Sequence, residues 1–297
     1  RVSIRGKVKG PVNNLSMRQL DLRFGSSSFV KGNVEMAGLP DIQETFILAD
    51  LKQIETNRWD LSQLPYPPFK NRTTLPISDN FTNLGTMRFK GNFTGFIYDF
   101  VAYGTLDSDI GTLRSDLHLT RDPETDDLVY DGELKSKKFH LGKLVGASGT
   151  LGEITMDMKV DGRGTKATNV EAQLNGLIQE FSVNGYRYNN MRVNGALNDQ
   201  LFDGELVVKD PNIDLDFNGS VNFGARLPEF HFVAQMKEVN LPALNLAKRD
   251  TSSRFSAYVE MDLEGNSLEN MQGTDDILEA EYREQGRRIA MATLALT

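Results

Sequence analysis

The chain contains no cysteine in 297 residues. Disulfides and thiolate metal sites are therefore excluded, although a zero count suits either the cytoplasm or an envelope protein that avoids misoxidation. Histidine is scarce as well. His118, His140 and His231 are scattered, with no carboxylate at metal-ligand spacing. His118 and His231 alternate with apolar residues and so belong on the solvated face of a strand. No Gly-x-Ser-x-Gly elbow, Walker loop or strand-to-helix Gly-x-Gly-x-x-Gly occurs. Long apolar runs are missing too. The longest, Ile289 to Leu296, falls well short of the roughly 18 residues a membrane-spanning helix needs, and no basic segment followed by an apolar one marks a signal peptide. Net charge is -8, without a basic cluster interleaved with aromatics, which argues against nucleic acid as a partner. These absences together predict no enzyme, no cofactor and no metal.

What the chain does have is alternation with a period of two. Phe202-Gly204-Leu206-Val208, Leu215-Phe217-Gly219-Val221-Phe223, Phe230-Phe232-Ala234-Met236 and Phe255-Ala257-Val259-Met261-Leu263 are the clearest runs. Met87-Phe89-Gly91-Phe93 and Ile154-Met156-Met158-Val160 read the same way, with mostly polar residues between. Strands that bury one face and wet the other favour antiparallel sheet. Asp122-Pro123, Asp210-Pro211-Asn212, Gly162-Arg163-Gly164, Asn189-Asn190 and Gly224-Ala225 are expected turns. The acidic stretch from Asp122 to Asp131 lacks the glycine and closing glutamate of a calcium loop and reads as an exposed turn. Glu44 to Leu64, the best long helix candidate, also fits a strand followed by one helical turn.

Internal repeats are present. Tyr130-Asp131-Gly132-Glu133-Leu134 is echoed by Phe202-Asp203-Gly204-Glu205-Leu206. Three times, a strand ending in Leu-Lys or Met-Lys runs into two leucines three apart: Leu61 and Leu64, Leu141 and Leu144, Leu241 and Leu244. That spacing suits a short helical turn plugging the end of a strand. The expected repeat units are 1–75, 76–148, 149–249 and 250–297, with the proline-rich stretch 65–76 as a linker candidate. Both termini fall in mid-pattern, so the whole of 1–297 is read as one internal segment of a longer protein.

The apolar stripe has two readings. It is either the core of a β-sandwich or the lining of a curled sheet left open as a groove, which in-strand glycines favour. Gly91-Asn92-Phe93-Thr94-Gly95-Phe96, Asp99 to Leu106, Asp210 to Gly219 and Ser267 to Thr274 resemble the strand motifs of TamB-type translocation and assembly proteins in the AsmA-like, bridge-like lipid-transfer family, of the Bacteroidota branch. The resemblance implies an all-β fold of repetitive antiparallel amphipathic strands, forming a curled, taco-like β groove with an apolar interior and a few short helical turns. It implies a periplasmic conduit, anchored to the inner membrane through a segment outside this sequence, that carries phospholipid acyl chains toward the outer membrane. The alternative function is a protein-binding module that assists outer-membrane protein assembly or secretion by β-augmentation, with an Omp85-class partner. The expected lining residues are Met156, Met158, Phe217, Val221, Phe223, Phe230, Phe232, Met236, Phe255, Val259 and Met261.

Overall fold

A computed structural model describes residues 2–64, 79–125, 127–164, 169–246, 253–266, 270, 272–284 and 287–296. The proline-rich stretch 65–76 and residues 267–269 and 271 lie outside the described residues. The fold is all-β, as the alternation predicts, and the chain divides into two units, Arg1–Ile154 and Thr155–Thr297.

Unit 1 holds β1 (Ser3–Lys9), β2 (Asn14–Phe24), β3 (Ser28–Ala37) and β4 (Phe46–Asn57), then helix α1 (Arg58–Ser62) and a 3-10 turn (Asp79–Leu84). β5 (Thr86–Phe96), β6 (Asp99–Ser108), β7 (Gly111–Arg121), β8 (Leu128–His140) and helix α2 (Leu141–Val145) follow. Every strand from β1 to β8 pairs antiparallel with the next in the chain. β9 (Leu151–Arg163) crosses the boundary and pairs with β10 (Glu171–Val183). Unit 2 continues with β11 (Tyr186–Asn198), β12 (Leu201–Asp210), β13 (Ile213–Asn222), β14 (Glu229–Val239), β15 (Arg254–Glu264), β16 (Gln272–Glu284) and β17 (Arg287–Leu296), again each beside its chain neighbour.

Each unit is thus a curled, unclosed meander. Local irregularities bend it. Register slips between Met17 and Leu20, and between Met236 and Val239, contain Gln19 and Glu238 at φ 55° and 51°. An extra residue with left-handed backbone is a bulge, and bulges bend the strand and raise its twist. Asn189-Asn190, expected as a turn, lies inside β11, where Asn190 adopts φ 50° without a slip in the β10–β11 register. The actual turn is Asn184-Gly185, at φ 48° and 79°, an Asn-Gly pair suited to a two-residue hairpin. Gly162 and Arg163 also proved to be strand, closing β9.

The three leucine pairs mark three plugs. Glu44 to Leu64 divides into strand β4 and helix α1, and Leu141 to Leu144 falls in α2. Residues 241–246 form a turn with Leu244 N bonded to Asn240 O at 3.1 Å. Each opens on a side chain that accepts a backbone N–H three residues on: Asn57 from Asp60 at 2.9 Å, His140 from Lys143 at 3.3 Å, and Asn240 from Ala243 at 3.2 Å. Such caps satisfy orphan donors at a helix start. In unit 1, α1, the 3-10 turn and α2 all stand at the same end of the strands, where Leu84, Ile110 and Phe139 are buried. In unit 2, Val239 and Leu244 are buried at the corresponding plug.

Asp60 ties the first plug to the sheet. Its carboxylate, buried on α1, accepts from Ser26 N at 2.9 Å, Ser27 N at 3.1 Å and Ser28 Oγ at 2.7 Å in the β2–β3 turn. Burial by itself pushes the carboxyl up, but these donors together outweigh it and hold the group far below the usual carboxylate range. Asp60→Ala is expected to cost about 2–3 kcal/mol, because three donors lose their acceptor. A carboxyl whose folded value is depressed contributes stability above its unfolded pKa, and the contribution is lost as pH falls below that. Urea titrations between pH 4 and pH 2 should therefore show an acid loss in the wild type that Asp60→Asn lacks. Parallel pH profiles would refute the assignment.

Candidate functional site: an open apolar sheet face

The register of unit 2 assembles the apolar positions into four rows across β12 to β15. Val208, Leu215, Met236 and Ala257 form one, and Leu206, Phe217, Ala234 and Val259 the next. Gly204, Gly219, Phe232 and Met261 form the third, and Phe202, Val221, Phe230 and Leu263 the fourth. Pleating sends the rows between them to the opposite face. These carry Glu205, Asn218, Val233 and Glu260, or Asp203, Ser220, His231 and Asp262.

The structure therefore brings most of the expected lining residues together. Phe217, Val221, Phe230, Phe232, Met236, Val259 and Met261 stand in these rows. Phe255 follows beyond a register slip, opposite Val239 and Tyr282. Met158 lies on the same face of β9, its Sδ against Gly176, with Met156 two residues earlier. Phe223 differs from the rest. It falls just past the end of β13, is 61% exposed, and sets its ring edge-on to Phe230 at 6.1 Å. Met158 and Val259 are buried, whereas Met156, Phe217, Val221, Phe230, Phe232, Met236, Phe255 and Met261 remain half-buried. Phe232, Met236, Phe255, Met261 and Ile277 pack around a small buried cluster of Ala257, Val259 and Ala280.

Glycines were not expected as part of the site, yet they shape it. Gly195, Gly204 and Gly219 face one another directly across β11, β12 and β13. Gly204 and Gly219 adopt φ 157° and 140°, and a Cβ on Gly219 would stand 2.3 Å from His231 O and 2.5 Å from Phe232 Cα. Rings occupy the space so freed: a Cβ on Gly195 would stand 3.0 Å from the Phe202 ring. Phe202, Phe217 and Phe232 then step across three strands with ring centroids 6.3 and 5.0 Å apart, within the range of favourable aromatic pairs. Unit 1 repeats the device. Gly91 faces Gly104, the Phe89 ring approaches both, and Phe93 stacks on Phe100 at 4.5 Å.

Among the described residues, nineteen apolar side chains are buried, in a chain that is 39% apolar. A sandwich buries the inner face of both its sheets. Here Val208, Ala234, Ala257, Val259 and Leu263 are buried, but the other positions of the four rows stay half-accessible, which is the behaviour of a single curled layer.

The opposite face is laced with ion pairs, among them Arg88 with Glu55 at 2.9 Å and Arg163 with Glu171 at 2.8 Å. Such exposed pairs contribute little stability, but they keep this face wet. His118 lies there, between Asp99 at 2.8 Å and Asp131 at 3.0 Å. The bond to Asp99, and then that to Asp131, raise its pKa above the ordinary histidine value. The small stabilisation this gives is complete below the unfolded pKa and is lost as pH rises through the folded one. NMR titration should find His118 retaining its proton above the ordinary range, with Asp99→Asn moving it back; an unmoved midpoint would refute the pairing.

No protein-family model matches the chain, and no curated protein or solved structure matches it. Fold and site define a class on their own: an antiparallel β-meander with one charged face and one open apolar face. No helix among the described residues is long and apolar enough to cross a membrane.

Proposed function

We propose that this chain is a segment of a lipid conduit of the TamB type, working in the periplasm and holding phospholipid acyl chains against the apolar face of its curled sheet. The observation that carries this reading is the set of in-register apolar rows from β12 to β15, in which Phe202, Phe217, Val221, Phe230, Phe232, Met236 and Met261 stay half-accessible. An acyl chain in water costs about 0.8 kcal/mol per exposed CH₂. The rows remove that cost wherever the chain lies along them, and burial of this kind is nondirectional. A lining of similar residues offers no single deep well, so a bound chain can slide. Methionine and phenylalanine adapt to chains of different length and unsaturation. The polar headgroup stays in water beyond the apolar face. This reading assigns the chain no bond-making chemistry.

The test is lipid occupancy. The protein, produced in a bacterial envelope and purified without detergent, should carry phospholipid detectable by native mass spectrometry and organic extraction. It should also take up a fluorescent phospholipid from vesicles. A lipid-free protein that refuses the fluorescent probe would sink the proposal.

A further inference from the structure

The charged face of unit 1 holds a depression of about 330 Å³ over β4 to β7. Lys52, Lys90 and Arg114 line it, with Asn92, Tyr103 and Thr105. The strand register collects these cations. Lys90 stands opposite Thr105, Thr105 opposite Arg114, and Arg114 opposite Lys135, so one row crosses β5 to β8 with a cation on three of its four strands. Arg114 beside Lys135 is a like-charge pair, which costs stability. A bulge adds another cation. Between the pairs Leu51–Gly91 and Ile54–Phe89, two residues of β4, Lys52 and Gln53, oppose the single Lys90, and a bulge of this kind re-aims a side chain.

The protein has more carboxylates than cations, at a net charge of -8, yet they do not neutralise this depression. Among the described residues, neither Lys52 nor Lys90 has an ion-pair partner. Arg114 Nη2 donates to Tyr103 Oη at 2.5 Å, and its guanidinium lies over the Tyr103 ring at 5.5 Å. That contact holds the planar fork in place without discharging it. Lys135 pairs with Glu133 at 3.5 Å, along its own strand. The carboxylate in the lining is Asp50, which accepts from Asn33 at 3.4 Å. In the adjoining row Glu55 is taken by Arg88 at 2.9 Å, and Asp107 accepts from Thr112 at 2.6 Å.

We infer that this depression binds a phosphoryl group. Two ammonium groups supply point charges and Arg114 a fork, a combination suited to phosphate oxygens, and Asn92 and Thr105 add neutral donors. A soluble phosphate compound and a phosphomonoester headgroup on a membrane present the same group. The site lies on the face of unit 1 opposite Phe89 and Phe93, so it stands or falls apart from the lipid-conduit reading.

The test uses the full chain at low ionic strength. Pyrophosphate is titrated by calorimetry, and flotation is measured with phosphatidylcholine vesicles with and without phosphatidate. Pyrophosphate is expected to bind, and less tightly as salt screens the charges. Lys52→Gln and Lys90→Gln, both at exposed positions, should each weaken it about tenfold without lowering the melting temperature. Asp50→Asn should tighten it. Lys159→Gln removes the same charge from an exposed position on β9, outside the depression, and should leave the affinity unchanged. Flotation that requires phosphatidate and is lost in Lys90→Gln would assign the group to a headgroup; pyrophosphate binding without flotation would assign it to a soluble compound. Absence of both, or an equal loss in all three lysine variants, would overturn the inference.

Discussion

Gly219→Val is expected to lower the stability of the chain by about 4 kcal/mol or more, enough to leave much of unit 2 unfolded at physiological temperature. Two penalties combine. The backbone at φ 140° is one that a β-branched residue scarcely visits. The new Cβ would also meet backbone, not a yielding side chain: His231 O at 2.3 Å and Phe232 Cα at 2.5 Å. Relief would require β13 and β14 to part, and with them the ladder from Asp214–Lys237 to Asn222–Glu229. Gly149→Val provides the comparison, since a Cβ there meets nothing within 4 Å. It should change stability by no more than about 0.5 kcal/mol. Urea unfolding of the two variants decides the matter. If both cost the same, the close approach at the glycine row is not a determinant of the fold.

That row explains what could and could not be read from the amino-acid order. Alternation is a property of neighbouring residues along one strand, so Phe230-Phe232-Ala234-Met236 and Phe255-Ala257-Val259-Met261 were legible as amphipathic strands before any partner was known. The plugs were legible for the same reason: the leucines of Leu141-Gly142-Lys143-Leu144 lie within one turn of each other. Glycine facing glycine is a relation between strands. It depends on register, which turns and bulges set. Asn184-Gly185 was the turn signal that would have fixed the β10–β11 register, whereas Asn189-Asn190 looked like a turn and is strand. The repeated pentad now has a physical cause. Its glycines, Gly132 and Gly204, lie where the neighbouring backbone approaches: a Cβ would stand 2.1 Å from Asp116 O and 2.4 Å from Asn194 O respectively. Periodicity also could not decide between sandwich and open face, because the two bury the same alternate residues to different degrees. Only the half-accessible state of Phe217, Val221 and Phe230 distinguishes them.

The same difference in burial determines how the apolar face should be tested. Met158 is 4% exposed and sits on Gly176, so an aspartate there would unfold the sheet before it could report on a ligand. Phe232 packs on the Ala257–Val259–Ala280 cluster and carries a similar risk. Phe217, Val221 and Phe230 are half-buried and lie outside the buried cluster. Replacing all three by aspartate places carboxylates along the path proposed for an acyl chain, each still able to reach water at a modest cost in stability. Uptake of a fluorescent phospholipid is expected to fall at least tenfold, since a single charge forced against hydrocarbon already costs more than the about 1.4 kcal/mol that a factor of ten represents. The matched control changes Val233 to aspartate on the charged face of β14, where the side chain is 39% exposed, and should leave uptake within twofold. A triple variant that melts cooperatively and loads lipid like the wild type would remove the apolar face of unit 2 from the mechanism. A loss in the triple variant alone, with the control intact, would assign the lipid to the face that the sheet's register assembles.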